Sequence, residues 1–333
     1  MEIKQIFFTD VNTARLLPEE ISEPSGNEVL IKTAVSTISC GTERANLVGS
    51  KNVSASEFPK KVGYSNAGTV VKVGKDVKSV KPGDRVAVFW GQHKSYNLLP
   101  EDNVVKIESE NVSFEDAAMG LISSFPLAAI RKTRLEIGES AMVMGLGILG
   151  MIAVKLLRAA GAVPIVAVDP NPKRREIALK CGADFAFNPF DKDFAEKVRA
   201  VTNGGVKVAI EVTGVGAGLD EALDCMAKFG RIALLGCTRN SDFTIDYYNK
   251  VHVPGITLVG AHTIARPETE SYPGYFTHRD DITAVLNLCA SGRLKLDDLV
   301  EETHSPTECE DVYFRLATDK DFPVVVQFDW RSL

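Results

Sequence analysis

The sequence predicts an α/β protein with two domains, a doubly wound parallel sheet and a smaller, mostly antiparallel β-barrel. A length of 333 residues is enough for two separate cores, since domains run to roughly 100–200 residues. Short β-rich runs separated by turn signals extend to about Asp116, and strands then alternate with helices as far as Gly260. A last apolar run at Pro323–Phe328 is followed by no further helix, so we expect it to return to the N-terminal barrel.

The barrel is predicted from short extended runs rich in β-branched residues. Glu28–Val35 and Gly68–Val73 are two such runs, and Gly74 closes the second. Lys81–Asp84 reads Lys-Pro-Gly-Asp, a turn signal, and Arg85–Phe89 resumes an extended run. Strands of this length with turns between them are typical of a small antiparallel barrel.

The parallel sheet is predicted from alternating strand and helix patterns. Ala141–Met144 is a short apolar strand, and the helix predicted at Ile148–Ala160 has only Lys155 and Arg158 as charged residues, both on one face. Further predicted elements are strand Ile165–Val168, a helix opening at Asn171-Pro172, strand Val208–Val212, a helix with the stripe Leu219, Ala222, Leu223 and Met226 that Gly230 ends, strand Ile232–Gly236, and a helix with the stripe Ile282, Val285, Leu286 and Cys289 that Gly292 ends.

Composition excludes several classes of protein. Lys and Arg number 38 against 44 Asp and Glu, a net charge of −6, which disfavours a nucleic-acid binder and a polybasic membrane-surface protein. No run approaches 18 uninterrupted apolar residues, and the first residues do not resemble a signal peptide. The six cysteines form no CxxC pair, so neither a disulfide framework nor a cysteine-built zinc cluster is expected. We therefore expect a cytoplasmic protein with no nucleic-acid or membrane partner.

A glycine-rich turn lies between the first predicted strand and helix of the parallel sheet. Gly145, Gly147 and Gly150 match the pattern GxGxxG in the strand–helix context that this pattern requires. The first glycine permits the tight turn, the second lets the backbone approach a pyrophosphate, and the third lets helix and strand pack closely. The helix N-terminus then offers N–H groups to the phosphates, so the turn predicts a dinucleotide site.

An acidic residue ends the second strand of the same predicted sheet. Asp169 lies 19 positions after Gly150, where a carboxylate accepts hydrogen bonds from adenosine ribose hydroxyls and repels a 2′-phosphate. This favours NAD over NADP, whereas Lys173, Arg174 and Arg175 nearby weaken the preference. The cofactor-binding residues that we expect are Gly145, Gly147, Ile148, Leu149, Gly150, Asp169, Arg174, Thr213 and Ser124.

Several segments together resemble the medium-chain dehydrogenase/reductase superfamily, which contains the zinc alcohol and polyol dehydrogenases. They are Ile38–Glu43, Gly63–Gly68, Lys81–Val86, Glu115–Ala118 and Gly145–Gly150, in the order and spacing of that superfamily over nearly the full chain. The resemblance implies a GroES-like catalytic barrel from residues 1–117 and 262–333, an NAD-binding Rossmann domain from residues 118–261, and an active site in the cleft between them. It also implies NAD-linked alcohol oxidation or ketone reduction.

The zinc ligands of the superfamily are mostly missing. The resemblance matches the first ligand to Cys40, but the histidine of the Gly-His-Glu segment is Tyr64 and the third ligand position is Leu121. The region that carries the structural zinc in the superfamily, about Phe89–Asn103, has no cysteine. Because a catalytic zinc needs three protein donors, we expect a zinc-free member that binds no metal.

Without zinc, another group must handle the substrate oxygen. Tyr64 replaces a ligand and can donate from its hydroxyl, and His93 titrates near neutral pH in a segment that lines the substrate pocket in the superfamily. Thr42 matches the proton-relaying hydroxyl residue and Glu43 the acid close to the metal. His262 follows the last Rossmann strand, and the expected catalytic residues are thus His93, Tyr64, Thr42, Glu43 and His262.

Three functions remain open from the sequence. The first is an NAD-dependent dehydrogenase for a polar, polyol- or sugar-like small molecule. For it, the resemblance implies a homodimer or homotetramer that pairs through the strand at Ile256–Gly260. The second is an NADPH-dependent quinone or enoyl reductase, which Asp169 disfavours. The third is a non-catalytic NAD-binding protein.

Overall fold

The computed structural model describes residues 1–51, 53 and 57–333 and divides the chain into two compact units. Unit 1 comprises Met1–Ile122 and Ile282–Leu333, and unit 2 comprises Ser123–Asp281. Within the described residues, we find no helix with the length and apolar character needed to cross a membrane.

The helices and strands follow one another along the chain in three runs. The N-terminal part of unit 1 contains β1 (Glu2–Asp10), β2 (Thr13–Glu20), β3 (Glu28–Thr37), α1 (Cys40–Leu47), β4 (Lys60–Lys61), β5 (Ser65–Val73), β6 (Arg85–Phe89), β7 (Tyr96–Pro100), β8 (Val104–Lys106) and α2 (Phe114–Ala117). The first boundary falls inside α3 (Gly120–Lys132), and unit 2 continues with β9 (Ala141–Met144), α4 (Ile148–Ala159), β10 (Ile165–Val168), α5 (Pro172–Lys180), β11 (Phe185–Phe187), α6 (Phe194–Val201), β12 (Val206–Glu211), α7 (Gly216–Asp224), β13 (Met226–Leu234) and β14 (Thr257–Gly260). The second boundary falls inside α8 (His278–Ala290), after which unit 1 resumes with β15 (Val300–His304), α9 (Cys309–Thr318) and β16 (Val325–Asp329).

Unit 2 is built on a parallel sheet with the order β11-β10-β9-β12-β13-β14. Every neighbouring pair is parallel, and the chain winds outward first on one side of β9 and then on the other. This is the doubly wound order, and it places the switch point between β9 and β12, where such sheets bind ligands at the carboxyl ends of their strands. The fold class predicted for this part of the chain is confirmed.

One element of unit 2 differs from its prediction. The helix predicted to continue through Met226 to Gly230 ends at Asp224, and Met226 already pairs with Val206 as the first residue of β13. A short run of apolar side chains fits either the buried face of a helix or a buried strand. Here Met226 lies in the strand, because it pairs with Val206 in the parallel sheet. Gly230 therefore lies within a strand whose register shifts.

Unit 1 contains the predicted antiparallel barrel strands in a sheet of order β15-β16-β3-β5-β6-β8, with β7 paired to β3. A smaller sheet has the order β2-β1-β4. The C-terminal strand β16 pairs antiparallel with β3, from Gln327 opposite Thr37 to Asp329 opposite Val35. The expected return of the chain end to the N-terminal barrel is thus confirmed.

The two boundaries lie at 122/123 and 281/282, whereas the sequence placed them at 117/118 and 261/262. Residues 262–281 belong to unit 2 because ionic contacts tie them to α3. Asp281, fully buried, binds Arg131 of α3 (2.9 Å) and Arg266 (3.2 Å). Arg266 also donates to the carbonyl of Ser124 in α3 at 3.0 Å.

One core cluster of unit 1 lies between the small sheet, α9 and β16 and contains several aromatic side chains. Phe8 of β1 is fully buried and meets the ring of Tyr313 edge to face, with centroids 4.8 Å apart. Phe328 and Trp330 complete this cluster from the C-terminal end. Segments more than 300 residues apart in sequence thus share one core.

We predict that Phe8→Ala lowers the free energy of unfolding of unit 1 by about 3–5 kcal/mol, because it leaves a cavity in this cluster. Both tryptophans, Trp90 and Trp330, belong to unit 1, so tryptophan fluorescence during urea unfolding reports on that unit. Phe314→Ala is the matched control. Because Phe314 is 60% exposed, its substitution should change the free energy of unfolding only slightly. Equal losses in the two variants would contradict the assigned core.

Candidate functional site

The glycine-rich turn joins β9 to α4 in unit 2. Gly145 has φ +98°, a conformation that side chains disfavour, and a Cβ on Gly150 would overlap the carbonyl oxygen of Gly145. Around Gly147, by contrast, a Cβ would meet no atom within 4 Å, which leaves open space beside the turn. Ile148 and Leu149 begin α4, and their N–H groups have no acceptor within the helix. The turn therefore fits a dinucleotide pyrophosphate.

Asp169 follows β10 and is tied to this turn. One carboxylate oxygen accepts from the N–H of Leu146 and the other from the N–H of Asn171, each at 2.8 Å. Arg174 lies 3.9 Å from the first oxygen, and Asp169 is only 5% exposed. The carboxylate thus fixes the turn and places a negative charge at the carboxyl edge of the sheet.

Thr213 lies beside the same turn, after β12. A Cβ on Gly145 would sit 3.0 Å from the Thr213 methyl group, so the two segments are in close approach. Thr213 borders a cavity of about 390 Å³ within unit 2. The cavity is lined by Thr213, Gly214, Val215, Gly216, Ala217, Cys237, Arg239, Asn240, Asp242 and Phe243.

Glu211 positions this loop, and sequence reasoning missed it. Its carboxylate accepts from the N–H groups of Thr213 (2.7 Å) and Gly214 (3.2 Å), and also from the Thr213 hydroxyl. Burial raises the pKa of Glu211, against the lowering effect of these hydrogen bonds. The sequence feature that could have revealed Glu211 is its position as an acidic residue at the end of the otherwise apolar strand Val208–Glu211.

In unit 1, the carboxylate of Glu43 in α1 is buried, with 3% of its surface exposed. It accepts from the N–H of Ser39 (2.8 Å), from the hydroxyl of Tyr313 (2.5 Å) and from Nε2 of His93 (3.1 Å). A carboxylate buried with several donors is compensated, whereas one without them would be strongly destabilising. Glu43 is therefore the centre of a hydrogen-bond network.

His93 is fully buried in that network, in the loop between β6 and β7. Its Nδ1 lies 2.7 Å from the hydroxyl of Ser36, which also accepts from the indole N–H of Trp330 at 2.8 Å. The ring packs against Gly63, where a Cβ would lie 2.6 Å from it, and Gly63 has φ +88°. Both ring nitrogens of His93 are thus engaged within unit 1.

Tyr64 immediately precedes β5 and is half-buried. Its hydroxyl donates to the hydroxyl of Ser39, and its backbone carbonyl accepts from Trp90 at 2.8 Å. Burial raises the pKa of the phenol above its ordinary value and the charge of Glu43 adds to this, while hydrogen bonds with Ser39 and Thr42 oppose it. Tyr64 therefore keeps its proton at neutral pH.

The positions that match zinc ligands have other contacts. The sulfur of Cys40 lies 3.8 Å from the carbonyl oxygens of Ile38 and Val324. Leu121 is buried, with 1% exposed. Within residues 1–51, 53 and 57–333, no three His, Cys, Asp or Glu side chains form a group that could hold a metal ion.

His262 and Ser124 both lie in unit 2. His262 is exposed, and its Nδ1 accepts from the N–H of Ile264 at 3.4 Å. Ser124 is fully buried, with its hydroxyl 3.5 Å from Nδ1 of His278. Burial, and next the charge of Arg266, lower the pKa of His278 to about 3, so this imidazole is neutral.

The predicted site residues therefore form two groups. Unit 2 brings the three glycines together with Asp169, Arg174 and Thr213, and unit 1 brings together Thr42, Glu43, Tyr64 and His93. Ser36, Ser39 and Tyr313 were not predicted, because they come from separate elements and are common residue types that match no motif.

Comparison with known proteins agrees with both units. Residues 149–276 match the family model described as zinc-binding dehydrogenase, and residues 25–123 match the alcohol dehydrogenase GroES-like domain. The crystal structure of 2R,3R-butanediol dehydrogenase from Bacillus subtilis is similar, with a TM-score of 0.82 and 25% identity over 98% of this chain and 99% of that one.

Two curated relatives extend the comparison. L-threonine 3-dehydrogenase of Caldanaerobacter subterraneus subsp. tengcongensis is 31% identical over 74% of this chain and 79% of its own. Sorbitol dehydrogenase of Bacillus subtilis is 28% identical over 91% of each chain. These relatives support an oxidoreductase, a dehydrogenase of the alcohol or polyol type. The chain belongs to the medium-chain dehydrogenase/reductase superfamily, among the zinc-type alcohol dehydrogenase-like proteins.

Proposed function

We propose that this protein is an NAD(H)-dependent oxidoreductase that interconverts a secondary alcohol and a ketone on a polar, polyol- or sugar-like substrate without a catalytic zinc. The observation that carries the proposal is the protonated, hydrogen-bonded Tyr64 at the position of a ligand histidine. When bound, the nicotinamide supplies or accepts the hydride. Unit 2 would hold the cofactor through residues 145–150 and Asp169, and unit 1 would supply Tyr64.

Zinc is typical of the family, but the three matching side chains do not fit it. A catalytic zinc takes three protein donors of nitrogen, sulfur or oxygen and keeps one position open. Leu121 has no donor atom, and the Tyr64 hydroxyl already donates to Ser39. Only Cys40 offers an ordinary zinc ligand, which is too few for a catalytic site.

We predict that the purified enzyme holds no stoichiometric zinc and keeps its turnover after dialysis against a strong chelator. Cys40→Ser should retain most of that turnover, because a serine hydroxyl can replace the weak contacts of the thiol with carbonyl oxygens. Elemental analysis measures the zinc content, and a turnover assay on the same samples measures the activity. One zinc per chain, lost together with activity on chelation and in Cys40→Ser, would refute the proposal.

Tyr64 would take over the role of polarising the substrate oxygen. In the direction of ketone reduction, negative charge develops on the carbonyl oxygen as the carbon receives hydride. A hydrogen-bond donor placed at that oxygen stabilises the transition state more than the ground state. Because its pKa is raised, the Tyr64 hydroxyl keeps its hydrogen throughout the neutral range. This hydrogen would turn from Ser39 to the substrate oxygen, and the Ser39 hydroxyl, which can donate as well as accept, would then donate to the phenol oxygen. His93 is less suited, since it is fully buried and its Nε2 is bound to the buried Glu43 carboxylate.

We predict that Tyr64→Phe lowers kcat by about 100- to 1,000-fold with a smaller change in KM, the effect typical of losing one oxyanion donor. The assay follows NADH with sorbitol, butanediol and L-threonine, and with the corresponding ketones. Tyr247→Phe is the matched control, since Tyr247 is 60% exposed. Wild-type turnover in Tyr64→Phe would assign the role to another residue, and Thr42 and His262 remain the predicted alternatives.

Asp169 supports NAD rather than NADP. Its carboxylate lies at the end of β10 beside the glycine turn, where the 2′-phosphate of NADP would meet a negative charge. Arg174 at 3.9 Å offsets part of this charge. An NADPH-dependent quinone or enoyl reductase, the second candidate, would prefer NADP to NAD. A non-catalytic NAD-binding protein, the third candidate, would bind NAD without turning over a substrate.

We predict that wild-type kcat/KM favours NAD, and that Asp169→Asn lowers the NAD-to-NADP ratio by about tenfold or more, equivalent to about 1.4 kcal/mol. The amide removes the charge and keeps an acceptor oxygen for one of the two backbone N–H groups, those of Leu146 and Asn171. Asp193→Asn, an exposed carboxylate in the same unit, is the control. A preference for NADP in the wild-type protein would contradict the assignment.

We further propose a cytoplasmic homodimer or homotetramer. β14 is the outermost strand of the parallel sheet, and Leu258 on it is 38% exposed. An edge of this kind can pair with the same edge of a second copy, which would also protect it from aggregation.

A further inference from the structure

The hydrogen bonds around Glu43 define one arrangement of protons. The carboxylate can only accept, so Nε2 of His93 and the Tyr313 hydroxyl each point a hydrogen at it. The indole N–H of Trp330 can only donate, so it uses the Ser36 oxygen as acceptor. The Ser36 hydrogen then points to Nδ1 of His93 at 2.7 Å. Every donor has an acceptor when His93 is neutral with its hydrogen on Nε2.

This network reaches Tyr64 along two routes. Glu43 holds the backbone of Ser39 through a 2.8 Å hydrogen bond, and Ser39 presents its hydroxyl to Tyr64. His93 holds the chain just before Tyr64, because its N–H donates to the carbonyl of Val62 at 2.8 Å and its ring lies against Gly63. The hydroxyl of Tyr64 and the backbone just before this residue are thus both held by groups that are hydrogen-bonded to Glu43.

We propose that Ser39, Glu43 and His93 are positioning residues, which hold the phenol oxygen of Tyr64 in place for the substrate oxygen, with the Ser39 hydroxyl donating to it when the Tyr64 hydrogen turns to the substrate. This assignment rests on the proposed function of Tyr64. None of the three touches the reacting atoms: His93 is fully buried, Glu43 is 3% exposed and Ser39 is 5% exposed. They act on the reaction only through Tyr64.

Ser39 is the residue at which the proposal can be tested without damage to the fold. Its bond to Glu43 is made by the backbone N–H, which Ser39→Ala retains. Its side chain makes no capping hydrogen bond to α1, although Ser39 occupies the N-cap position. Ser39→Ala therefore removes the contact with the Tyr64 hydroxyl and leaves the Glu43 network intact.

The first measurement is a double-mutant cycle with Ser39→Ala and Tyr64→Phe. With the alcohol of the panel that turns over fastest, Ser39→Ala should lower kcat about 10- to 100-fold with little change in KM, as expected for a misplaced reacting group. In the Tyr64→Phe background the same change should alter kcat less than about twofold, because the hydroxyl it acts on is gone. Ser39→Thr, which keeps a hydroxyl, should restore most of the wild-type kcat. Equal losses in both backgrounds would overturn the proposal.

The second measurement does not depend on turnover. In protein labelled with 3-fluorotyrosine, seven tyrosines give fluorine resonances, and Tyr64→Phe identifies the resonance of Tyr64. Ser39→Ala should shift or broaden that resonance, while Ser291→Ala, an exposed serine in the same unit, should not. A resonance unmoved by Ser39→Ala would refute the positioning role. A moved resonance together with full turnover in Tyr64→Phe would instead refute the proposed function and, with it, the catalytic purpose of the positioning.

Discussion

A buried carboxylate organises unit 1. Glu43 has almost no contact with water, so its charge must be compensated by protein donors. The donors come from the start of α1, from the loop between β6 and β7, and from α9. Removing one donor would leave a buried charge partly unpaired, which is strongly destabilising. The position of these three segments is therefore set by one charge, and the position of Tyr64 follows from theirs.

Glycine serves the same purpose in both units, although the two positions look unrelated. In unit 2, only glycine at 150 lets α4 approach the carbonyl oxygen of Gly145 at the end of β9. In unit 1, only glycine at 63 lets the chain pass against the ring of His93. In each case the missing side chain allows a close approach that a larger residue would block. The same residue type thus supports a dinucleotide turn in one unit and a tyrosine in the other.

The two groups of predicted site residues, one in each unit, differ in how far the sequence could predict them. The dinucleotide turn depends on backbone geometry within one short segment, so the spacing of Gly145, Gly147 and Gly150 and the strand before them were enough. The fold class and the return of β16 to the barrel followed from similar local patterns. The network of Glu43 could not be predicted in this way, because its members lie in separate elements that meet only after folding. His93 illustrates the difference: its residue type suggested an acid or base, and only its burial and contacts show that both ring nitrogens are engaged.

At the position that the resemblance matches to a ligand histidine, this chain has Tyr64. By resemblance, Glu43 matches the acid close to the metal in zinc-dependent members, where a ligand histidine stands at the position of Tyr64. Tyr64 donates to Ser39, so it gives no hydrogen bond to the Glu43 carboxylate. His93, from a different loop, donates to Glu43 instead and keeps the buried charge compensated. In the proposed arrangement, Glu43 remains buried and acts on Tyr64 through Ser39, while His93 donates to Glu43. Under the proposed zinc-free function, a histidine at 64 alone would not create a zinc site, because Leu121 has no donor atom and His93 is bound to Glu43.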